Sequence, residues 1–333
     1  MDIETLIVVV TYNSSGYIEN CINSILASDY KKWFLTIIDN NSSDDTAEKI
    51  TELTADNISG KTGSFSIADS KNFKLLKMVK NAGFARAVNY SVYKYPYGLP
   101  DAGLNHVKNL ILINPDLCIE ENTLSELLHS LGCMPDCGAA GGLIYDYEGK
   151  KVQHAGGRVE DNYITSHIVE TTGNKISIYP VDYVTGALFA TKMDVFKDLG
   201  GFDTGYRPAY FEELDYCRKL YLSGLKPYIN LNACAKHFEG ASSGKFSYNF
   251  YRYYHKNRIR CAIINYGFIR FFNKFIPSEI KWLRLQTTKD QRRPLFEAYF
   301  LNFVFLFYNL MIKIRNFFII KRLKEKQHIR AEI

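Results

Sequence analysis

Four short apolar runs recur along the first part of the chain, and each is followed by a polar segment rich in Asn, Asp, Thr or Gly. The runs cover residues 6–10, 34–38, 73–79 and 110–113. Runs that are apolar on both faces are typical of central strands in a parallel sheet. A helical pattern follows the first run, with apolar side chains on one face between Ile18 and Leu26. This alternation predicts an α/β domain with a mainly parallel sheet flanked by helices.

The polar segments that follow the four runs indicate a ligand site. They span residues 11–13, 39–44, 81–84 and 114–116. In parallel α/β sheets the loops after the carboxyl ends of the strands build the ligand site, so we expect these segments to lie close together. Two further polar segments, 55–72 and 95–107, are predicted to be loops.

Length and composition narrow the possible classes. The chain has 333 residues, 47% of them apolar, which suffices for one large domain with an appendage. Its seven cysteines form no Cys-x-x-Cys pair, so we expect reduced cytosolic thiols and neither a disulfide framework nor a zinc site. No secretory signal is expected. The absence of Gly-x-Gly-x-x-Gly and P-loop patterns excludes the common dehydrogenase and P-loop classes.

Charge divides the chain into two parts. Residues 1–244 contain 22 Lys and Arg against 30 Asp and Glu, a net charge of −8, whereas residues 245–333 contain 19 against 5, a net charge of +14. Residues 246–268 interleave aromatic with basic side chains, as some nucleic-acid binders do. No nucleic-acid module surrounds them, so we expect no nucleic-acid partner and favour a helix packed on the preceding domain.

An apolar stretch near the C-terminus indicates contact with a membrane surface. Residues 295–312 carry only one charged side chain, Glu297, and are interrupted by Asn302 and Asn309. A spanning helix needs about 20 apolar residues, and this interrupted stretch is too short for one. A helix lying at the surface of an anionic bilayer is therefore favoured, and the basic residues that follow it would face the lipid. Packing on the preceding domain or on a second subunit is the alternative.

An acidic stretch stands directly behind aromatic residues. Glu212, Glu213 and Asp215 fall within four residues, after Tyr210 and Phe211. Buried carboxylates are costly unless they are paired, bound to metal or used in chemistry. The alternative is the solvated first turn of a helix, where acidic side chains suit the helix dipole. The stretch alone does not decide between these two interpretations.

Several motifs occur in a fixed order along most of the chain. They are residues 10–13, 38–44, 81–85, 112–116, 185–187, 200–203 and 211–215, and His237 with Gly240. In this order they resemble the family 2 glycosyltransferases, which have the GT-A fold, and most closely the bacterial rhamnosyltransferase-like branch. The resemblance implies a Rossmann-like catalytic domain at 1–245, with a nucleotide-sugar half at about 1–118 and an acceptor half at about 119–245. Residues 246–333 would form a helical, basic and aromatic extension.

The resemblance also implies which residues bind the sugar nucleotide. It assigns this role to Thr11, Tyr12, Asn13, Asp39, Asn41, Asn81, Gly83, Phe84, Asn114 and Gly186. Asp39 matches the position that accepts the N3–H of uracil or thymine, to which a carboxylate is complementary; a helix N-cap is its structural alternative. Gly83 permits close backbone approach, and a helix starting there would direct N–H groups toward the donor phosphates or sugar.

A divalent metal ion, Mg²⁺ or Mn²⁺, is the implied cofactor. Asp116 is the expected anchor, and His237 matches the family position that supplies an imidazole to the same metal. These ions prefer oxygen ligands and leave positions for phosphate oxygens and water. Asn114 stands where the family often has an acidic residue, so one charge is missing from the predicted metal site.

One carboxylate of the acidic stretch is expected to be the general base, because the acceptor hydroxyl must lose its proton as it attacks the anomeric carbon. The family motif places this role on Glu213, where the usual residue is Asp, and Glu212 is the alternative. Asp215 is expected to orient the base or the acceptor.

The resemblance therefore implies an inverting transfer of a sugar from a dTDP- or UDP-sugar. Rhamnose is favoured, and galactofuranose or a hexose from a UDP-sugar is the alternative. The expected acceptor is a lipid-linked glycan of a cell-surface polysaccharide, such as O-antigen or capsule, at the cytoplasmic face of the inner membrane. A homo-oligomer is compatible with the sequence.

Two other functional classes compete with the glycosyltransferases. A nucleotidyltransferase would need a basic, Gly-rich loop near the N-terminus, but residues 11–16 contain no basic residue. A non-catalytic membrane- or nucleic-acid-binding protein with a degenerate transferase domain stays open, because Asn114 and Glu213 depart from the family pattern.

Overall fold

The computed structural model describes residues 3–59, 72–93, 106–170, 176–238 and 247–332. Most of the predicted loops at 55–72 and 95–107 lies outside these ranges, as does Gly240. Helical structure nevertheless continues to Ser59, inside the first of the two predicted loops.

The four predicted apolar runs form neighbouring strands of one sheet. They are β1 (Thr5–Thr11), β2 (Trp33–Asp39), β3 (Phe73–Lys77) and β4 (Asn109–Ile113). All their pairings are parallel, with β1 between β2 and β4, and β3 beyond β2. The helices that follow the first three strands are α1 (Ile18–Ala27), α2 (Thr46–Ser59) and α3 (Phe84–Tyr93). The predicted α/β class with a mainly parallel sheet is confirmed.

The second half of the domain extends this sheet with mixed pairing. Its elements are β5 (Leu117–Ile119), α4 (Thr123–Cys133), β6 (Cys137–Asp146), β7 (Val152–His154), β8 (Gly157–Val159), β9 (Thr165–His167), β10 (Ile178–Pro180), β11 (Leu188–Lys192), α5 (Met193–Asp198), α6 (Glu212–Leu222) and β12 (Lys226–His237). The strand order over the described residues is β10-β12-β6-β11-β4-β1-β2-β3. Because β11 runs antiparallel to β4, with Leu188 opposite Ile113, the turn before β11 lies at the carboxyl end of β4.

Alternate residues of the central strands face two helical layers, as the pleat of a strand requires. Ile7 and Val9 of β1 belong to the core shared with α1 and α4. Leu6 and Val8 belong to the core shared with α3, α5 and α6. Both faces of the sheet are therefore covered, which explains why the strands were apolar throughout.

The C-terminal region is helical, as predicted, and it packs on the second helical layer. Its helices are α7 (Tyr248–Asn265), α8 (Phe268–Arg270), α9 (Ile276–Leu285), α10 (Lys289–Val304) and α11 (Leu306–Glu332), with a π-helical turn at Phe271–Phe275 between α8 and α9. Arg258 of α7 is fully buried and donates to both carboxylate oxygens of Glu279, at 2.7 and 2.6 Å, and to the Asn162 carbonyl at 2.5 Å. Tyr299 of α10 also donates to Glu279. Since a buried charge needs this degree of pairing, the network fixes α7, α9 and α10 to the sheet domain.

The outer surface of α10 and α11 is apolar and exposed. Phe296, Phe300, Phe303 and Phe307 are between 59% and 77% exposed, whereas Leu295 and other residues of the inner face are buried. Within the described ranges, no single helix has the length and apolar content needed to cross a bilayer; α10 and α11 meet that condition only as a pair bent by 68°. An apolar face of this size commonly marks an interaction surface.

Candidate functional site

The ends of β1 and β2 are joined by hydrogen bonds around Asp39. Thr11 and Asp39 are partners in the sheet register, and the Thr11 hydroxyl donates to Asp39 Oδ1 at 3.3 Å. The Ser42 N–H donates to Oδ2 at 3.2 Å, and the Ser42 hydroxyl donates to Oδ1. The N-cap alternative does not describe Asp39, because the first N–H of α2 donates to Asp44 at 3.1 Å instead. An ionised carboxylate has about four acceptor positions, so Asp39 retains capacity for a nucleobase N–H.

Two asparagines next to Asp39 have left-handed backbone angles, which Asn tolerates better than most residues. The φ angles are 51° at Asn13 and 68° at Asn41. The Asn13 side-chain oxygen accepts the N–H of Ser43 at 2.8 Å, which joins the loop after β1 to the loop after β2. Asn41 is exposed, and the ring of Tyr12 is 51% exposed. These two side chains are therefore free to contact a ligand at this edge.

The loop after β3 is attached to the same edge by Asn40, which sequence reasoning did not assign to the site. Asn40 is buried, donates to Asn81 Oδ1 at 3.1 Å and accepts the N–H of Ala82 at 2.8 Å. Asn81 Oδ1 also accepts the Gly83 N–H at 3.0 Å. Gly83 has a φ of 82°, and a Cβ added there would lie 2.8 Å from the Pro208 carbonyl. Only glycine fits this position without displacing the neighbouring loop.

Asp116 and His237 meet at the ends of β4 and β12, as expected for a shared metal. His237 Nε2 lies 3.2 Å from Asp116 Oδ2, and His237 Nδ1 lies 3.0 Å from the Gln153 side-chain oxygen. Asp116 Oδ1 is buried and has no hydrogen-bond partner among the described residues. The unsatisfied oxygen suits a divalent cation, and so does the imidazole, which Gln153 orients through its other ring nitrogen. Nothing in the sequence distinguishes Gln153 from other polar residues.

The predicted pair is short of ligands for a closed protein site. No group of three or more His, Cys, Asp or Glu side chains suited to a metal occurs in the parts of the chain that the structure describes. Mg²⁺ commonly keeps several waters and binds through one or two carboxylates together with substrate phosphates. A two-residue site therefore suits a metal that arrives with, or is completed by, a diphosphate.

Gly186 connects the acidic stretch to the strand ends. The Asn114 N–H donates to the Ala187 carbonyl at 2.8 Å, which places the turn before β11 beside the loop after β4. A Cβ added to Gly186 would lie 3.5 Å from the ring of Phe84 and 3.8 Å from the carboxyl carbon of Glu213. Four predicted site residues from four separate segments are thus brought together.

The backbone immediately before the acidic stretch is strained. Tyr210 and Phe211 have φ angles of 79° and 78°, a conformation that is uncommon for bulky residues and tends to occur at functional sites. Asn257 of α7 holds the loop by donating to the carbonyls of Ala209, at 2.8 Å, and Tyr210, at 3.1 Å. Sequence reasoning missed Asn257, because its partners lie almost 50 residues away in the chain.

Glu212 and Glu213 begin α6 in a poorly solvated environment. Burial raises the pKa of Glu213, although backbone N–H groups of Glu213 itself and of Gly186 favour its ionised form. Burial raises the pKa of Glu212 well above its usual range, and the negative charge of Glu213 raises it further. Glu212 is 2% exposed and its Oε2 atom has no partner among the described residues. Glu213 is partly exposed and its carboxyl group lies beside Gly186, so it is the member of the pair that an acceptor hydroxyl can reach.

Asp215 lies on the side of α6 opposite Glu213, two positions further along the helix. It is fully buried and forms an ion pair with Lys219 at 2.7 Å, one helical turn further along α6. Its Oδ1 atom accepts from the Tyr206 hydroxyl at 3.1 Å and from Asn265 of α7 at 2.7 Å. These contacts join α6 to α7. None of the three partners is Glu213 or Glu212, so the orientation of the base by Asp215 stays a prediction.

Comparison with known proteins gives a family and a set of similar folds. A family model described as Glycosyl transferase family 2 matches residues 6–200. A curated relative, N-acetylglucosaminyl-diphospho-decaprenol L-rhamnosyltransferase of Mycobacterium tuberculosis, is 23% identical over 256 residues, which cover 72% of this chain and 77% of the relative.

Two solved structures illustrate the likeness in fold. GalNAc-T7 with UDP, GalNAc and Mn²⁺ has a TM-score of 0.63 and 15% identity, and the match covers 89% of this chain and 54% of that one. The mannosyltransferase PcManGT of Pyrobaculum calidifontis, with GDP-Man and Mn²⁺, has a TM-score of 0.55 and 15% identity, with coverage of 98% and 86%. The chain thus spans about half the length of GalNAc-T7, and at these identities the likeness supports the fold.

Proposed function

Because this chain belongs to glycosyl transferase family 2, we propose that it transfers a sugar from a dTDP- or UDP-sugar to a hydroxyl of a lipid-linked glycan, with inversion at the anomeric carbon. Rhamnose is the favoured sugar, in line with the name of the M. tuberculosis relative. The observation that carries the proposal is the meeting of Glu213, Gly186 and Phe84 next to the loop that leads to Asp116. This arrangement supports a base that acts beside a site for a diphosphate.

The reaction uses the residues of this edge in separate roles. Asp39 accepts the N3–H of the uracil or thymine base, and the exposed Tyr12 ring offers its face to the nucleoside. Glu213 takes the proton of the acceptor hydroxyl while that oxygen attacks the anomeric carbon from the side opposite the nucleotide. When bound, Mg²⁺ or Mn²⁺ offsets the negative charge on the departing diphosphate, and Asp116 with His237 would hold it.

Binding of nucleotide sugars provides the primary test. We expect UDP- or dTDP-sugars with Mn²⁺ to raise the melting temperature, and GDP-sugars to have a smaller effect, because ligands that bind the folded state stabilise it by mass action. Asp39→Asn should reduce the preference for UDP or dTDP over CDP by roughly 10-fold. An amide loses the charge-assisted hydrogen bond to N3–H and can turn its NH₂ group toward the N3 acceptor of cytosine.

A second carboxylate of the same loop provides the control for Asp39. Asp45→Asn changes an exposed carboxylate of the same loop and should leave the nucleotide preference unchanged. An unaltered preference in Asp39→Asn would remove Asp39 from base recognition. A protein that neither binds nor hydrolyses any sugar nucleotide would instead favour the non-catalytic interpretation.

The acceptor is proposed to be membrane-bound, and the protein to be peripheral at the cytoplasmic face of the inner membrane. Support comes from the exposed apolar surface of α10 and α11 and from the basic residues at both ends of it, Arg292, Arg293, Lys321, Arg322 and Lys324. Apolar side chains flanked by Lys and Arg suit an anionic bilayer surface. A cell-surface polysaccharide such as O-antigen or capsule is the product that this placement favours.

Substitution of exposed phenylalanines tests the membrane contact. The variant Phe300→Ser, Phe303→Ser, Phe307→Ser should co-sediment with anionic vesicles at least roughly 10-fold less than the wild type, because each ring contributes apolar area to the bilayer. The control Val169→Ser, Ile176→Ser changes exposed apolar residues outside α10 and α11 and should bind normally. Equal binding by both variants contradicts the proposal. A dimer that the first variant dissociates, with no vesicle binding, would identify a subunit interface.

A further inference from the structure

A basic cleft opens beside the start of α3. It has a volume of about 580 Å³, and it is lined by Lys80, Asn81, Ala82, Gly83, Arg86, Arg207, Pro208, Tyr253 and Lys256. No carboxylate lines it in the parts of the chain that the structure describes. Apart from the loop after β3, none of these residues has a role in the site described above.

The positive charges of the cleft come from three different segments. The Lys256 ammonium, on α7, donates to the carbonyl of Arg207 at 2.7 Å and so ties α7 to the loop before the acidic stretch. Burial, together with the nearby cations Arg260 and Arg252, lowers the pKa of Lys256 to about 8. Like charges brought together without an acidic partner raise the energy of the unliganded site, and a bound anion relieves this cost.

The cleft lies between the proposed base and the exposed apolar face. On one side, Gly83 contacts the loop at Pro208, and the next residue, Phe84, reaches Gly186 beside Glu213. On the other side, the Lys256 carbonyl accepts from Asn302 of α10 at 2.9 Å. The outer surface of α10 carries the exposed phenylalanines, so α10 joins the helix that lines the cleft to the apolar face.

We propose that this cleft binds the diphosphate of a prenyl-diphosphate-linked acceptor, with the prenyl chain directed toward the apolar face of α10 and α11. The inference rests on the proposed function and deepens it by naming the anchor of the acceptor. Arg86 and Arg207 present planar guanidinium groups, which bind phosphate oxygens through paired hydrogen bonds. A diphosphate held here sets the distance between the lipid and the hydroxyl that faces Glu213. The apolar face is what favours a lipid-linked diphosphate over a soluble phosphate, because a soluble phosphate needs only the basic cleft.

Calorimetric binding of three probes tests the proposal on the full chain. The probes are geranyl diphosphate, inorganic pyrophosphate and geraniol, measured with a chelator present so that a metal at Asp116 and His237 does not contribute. We expect geranyl diphosphate to bind most tightly and geraniol least. Arg86→Gln, Arg207→Gln should weaken geranyl diphosphate roughly 10–100-fold, the worth of the lost charge-assisted hydrogen bonds. Both arginines are exposed, so the fold should be retained.

The control Lys150→Gln, Arg158→Gln removes two exposed cations that do not line the cleft and should bind geranyl diphosphate as the wild type does. The proposal is overturned if the arginine variant binds normally, if pyrophosphate binds as tightly as geranyl diphosphate, or if the variant loses the stabilisation by nucleotide sugars, which would assign the cleft to the donor. Failure of the proposed function is distinguishable, because it appears as absence of transfer by the wild type whatever the cleft binds.

Discussion

Glu213→Gln should lower the rate of sugar transfer by roughly 10²–10⁴-fold, the usual contribution of a general base, without loss of nucleotide binding. The carboxylate lies beside Gly186 and Phe84 at the strand-end edge, where an acceptor hydroxyl can approach it. An amide of the same size preserves packing but accepts no proton. Initial rates at saturating donor, together with the nucleotide-dependent shift in melting temperature, measure the two properties separately.

The neighbouring glutamate provides the matched control. Glu212→Gln removes a carboxylate that is more deeply buried than that of Glu213, so we expect a smaller loss of rate. A large loss in Glu212→Gln with near-normal turnover in Glu213→Gln would exchange the two roles.

The raised pKa of Glu213 fixes the direction of two pH effects. The base must be ionised, so the rate should rise as pH increases through the raised folded-state pKa. Stability changes in the opposite direction. The folded state binds this proton more tightly than the unfolded state, so the group costs stability as pH rises from its ordinary pKa to the raised one. Glu213→Gln should therefore be at least as stable as the wild type at neutral pH, which separates a lost base from a damaged fold.

The sequence predicted the sheet well because central parallel strands carry a local signal. The runs that became β1 to β4 are buried on both faces, so apolar residues alone mark them, and the loops that follow were correctly expected at one edge. Pairing directions in the second half carry no such signal. The antiparallel insertion of β11 between β4 and β6 depends on contacts between distant segments, and it is what brings Gly186 to the site.

Residue roles were predictable only where a motif names them. Asp116 and His237 meet as expected, whereas Gln153 and Asn257 act through partners far away in the chain and have no local pattern. Asp215 shows that a motif can also hide the structural role of a residue. The motif places it with Glu213, but helical periodicity turns it to the face opposite Glu213, where it pairs with Lys219. Asp215 and Lys219 are four residues apart, a spacing that predicts an ion pair on a helix. The sequence therefore indicated a structural role for Asp215 more directly than a role in orienting the base.

Asp116→Ala should abolish the metal dependence of the protein and lower transfer by roughly 10³-fold, because a divalent ion stabilises the leaving diphosphate by several kcal/mol. The unsatisfied Oδ1 atom of Asp116 is the protein oxygen best placed to bind such an ion. Binding of Mn²⁺ with UDP, followed by electron paramagnetic resonance, gives a readout that does not require transfer. We expect the variant to lose the bound-Mn²⁺ signal.

Gln153→Ala should have a weaker form of the same effect, since the Gln153 side chain contacts His237 at Nδ1 and not at the nitrogen that faces Asp116. Loss of such an outer partner typically weakens metal affinity 10–100-fold, and excess Mn²⁺ should restore transfer in this variant but not in Asp116→Ala. Asp161→Ala, at an exposed carboxylate that lies 3.7 Å from the Lys274 ammonium, serves as the control. The effect of Asp116→Ala should be large because Asn114 stands where a second carboxylate would be. With one acidic ligand missing, the ion depends on Asp116 more than it would in a site with two carboxylates. Wild-type transfer that persists unchanged in chelator, with Asp116→Ala equally active, would show that the reaction proceeds without the metal and that Asp116 and His237 form only a structural pair.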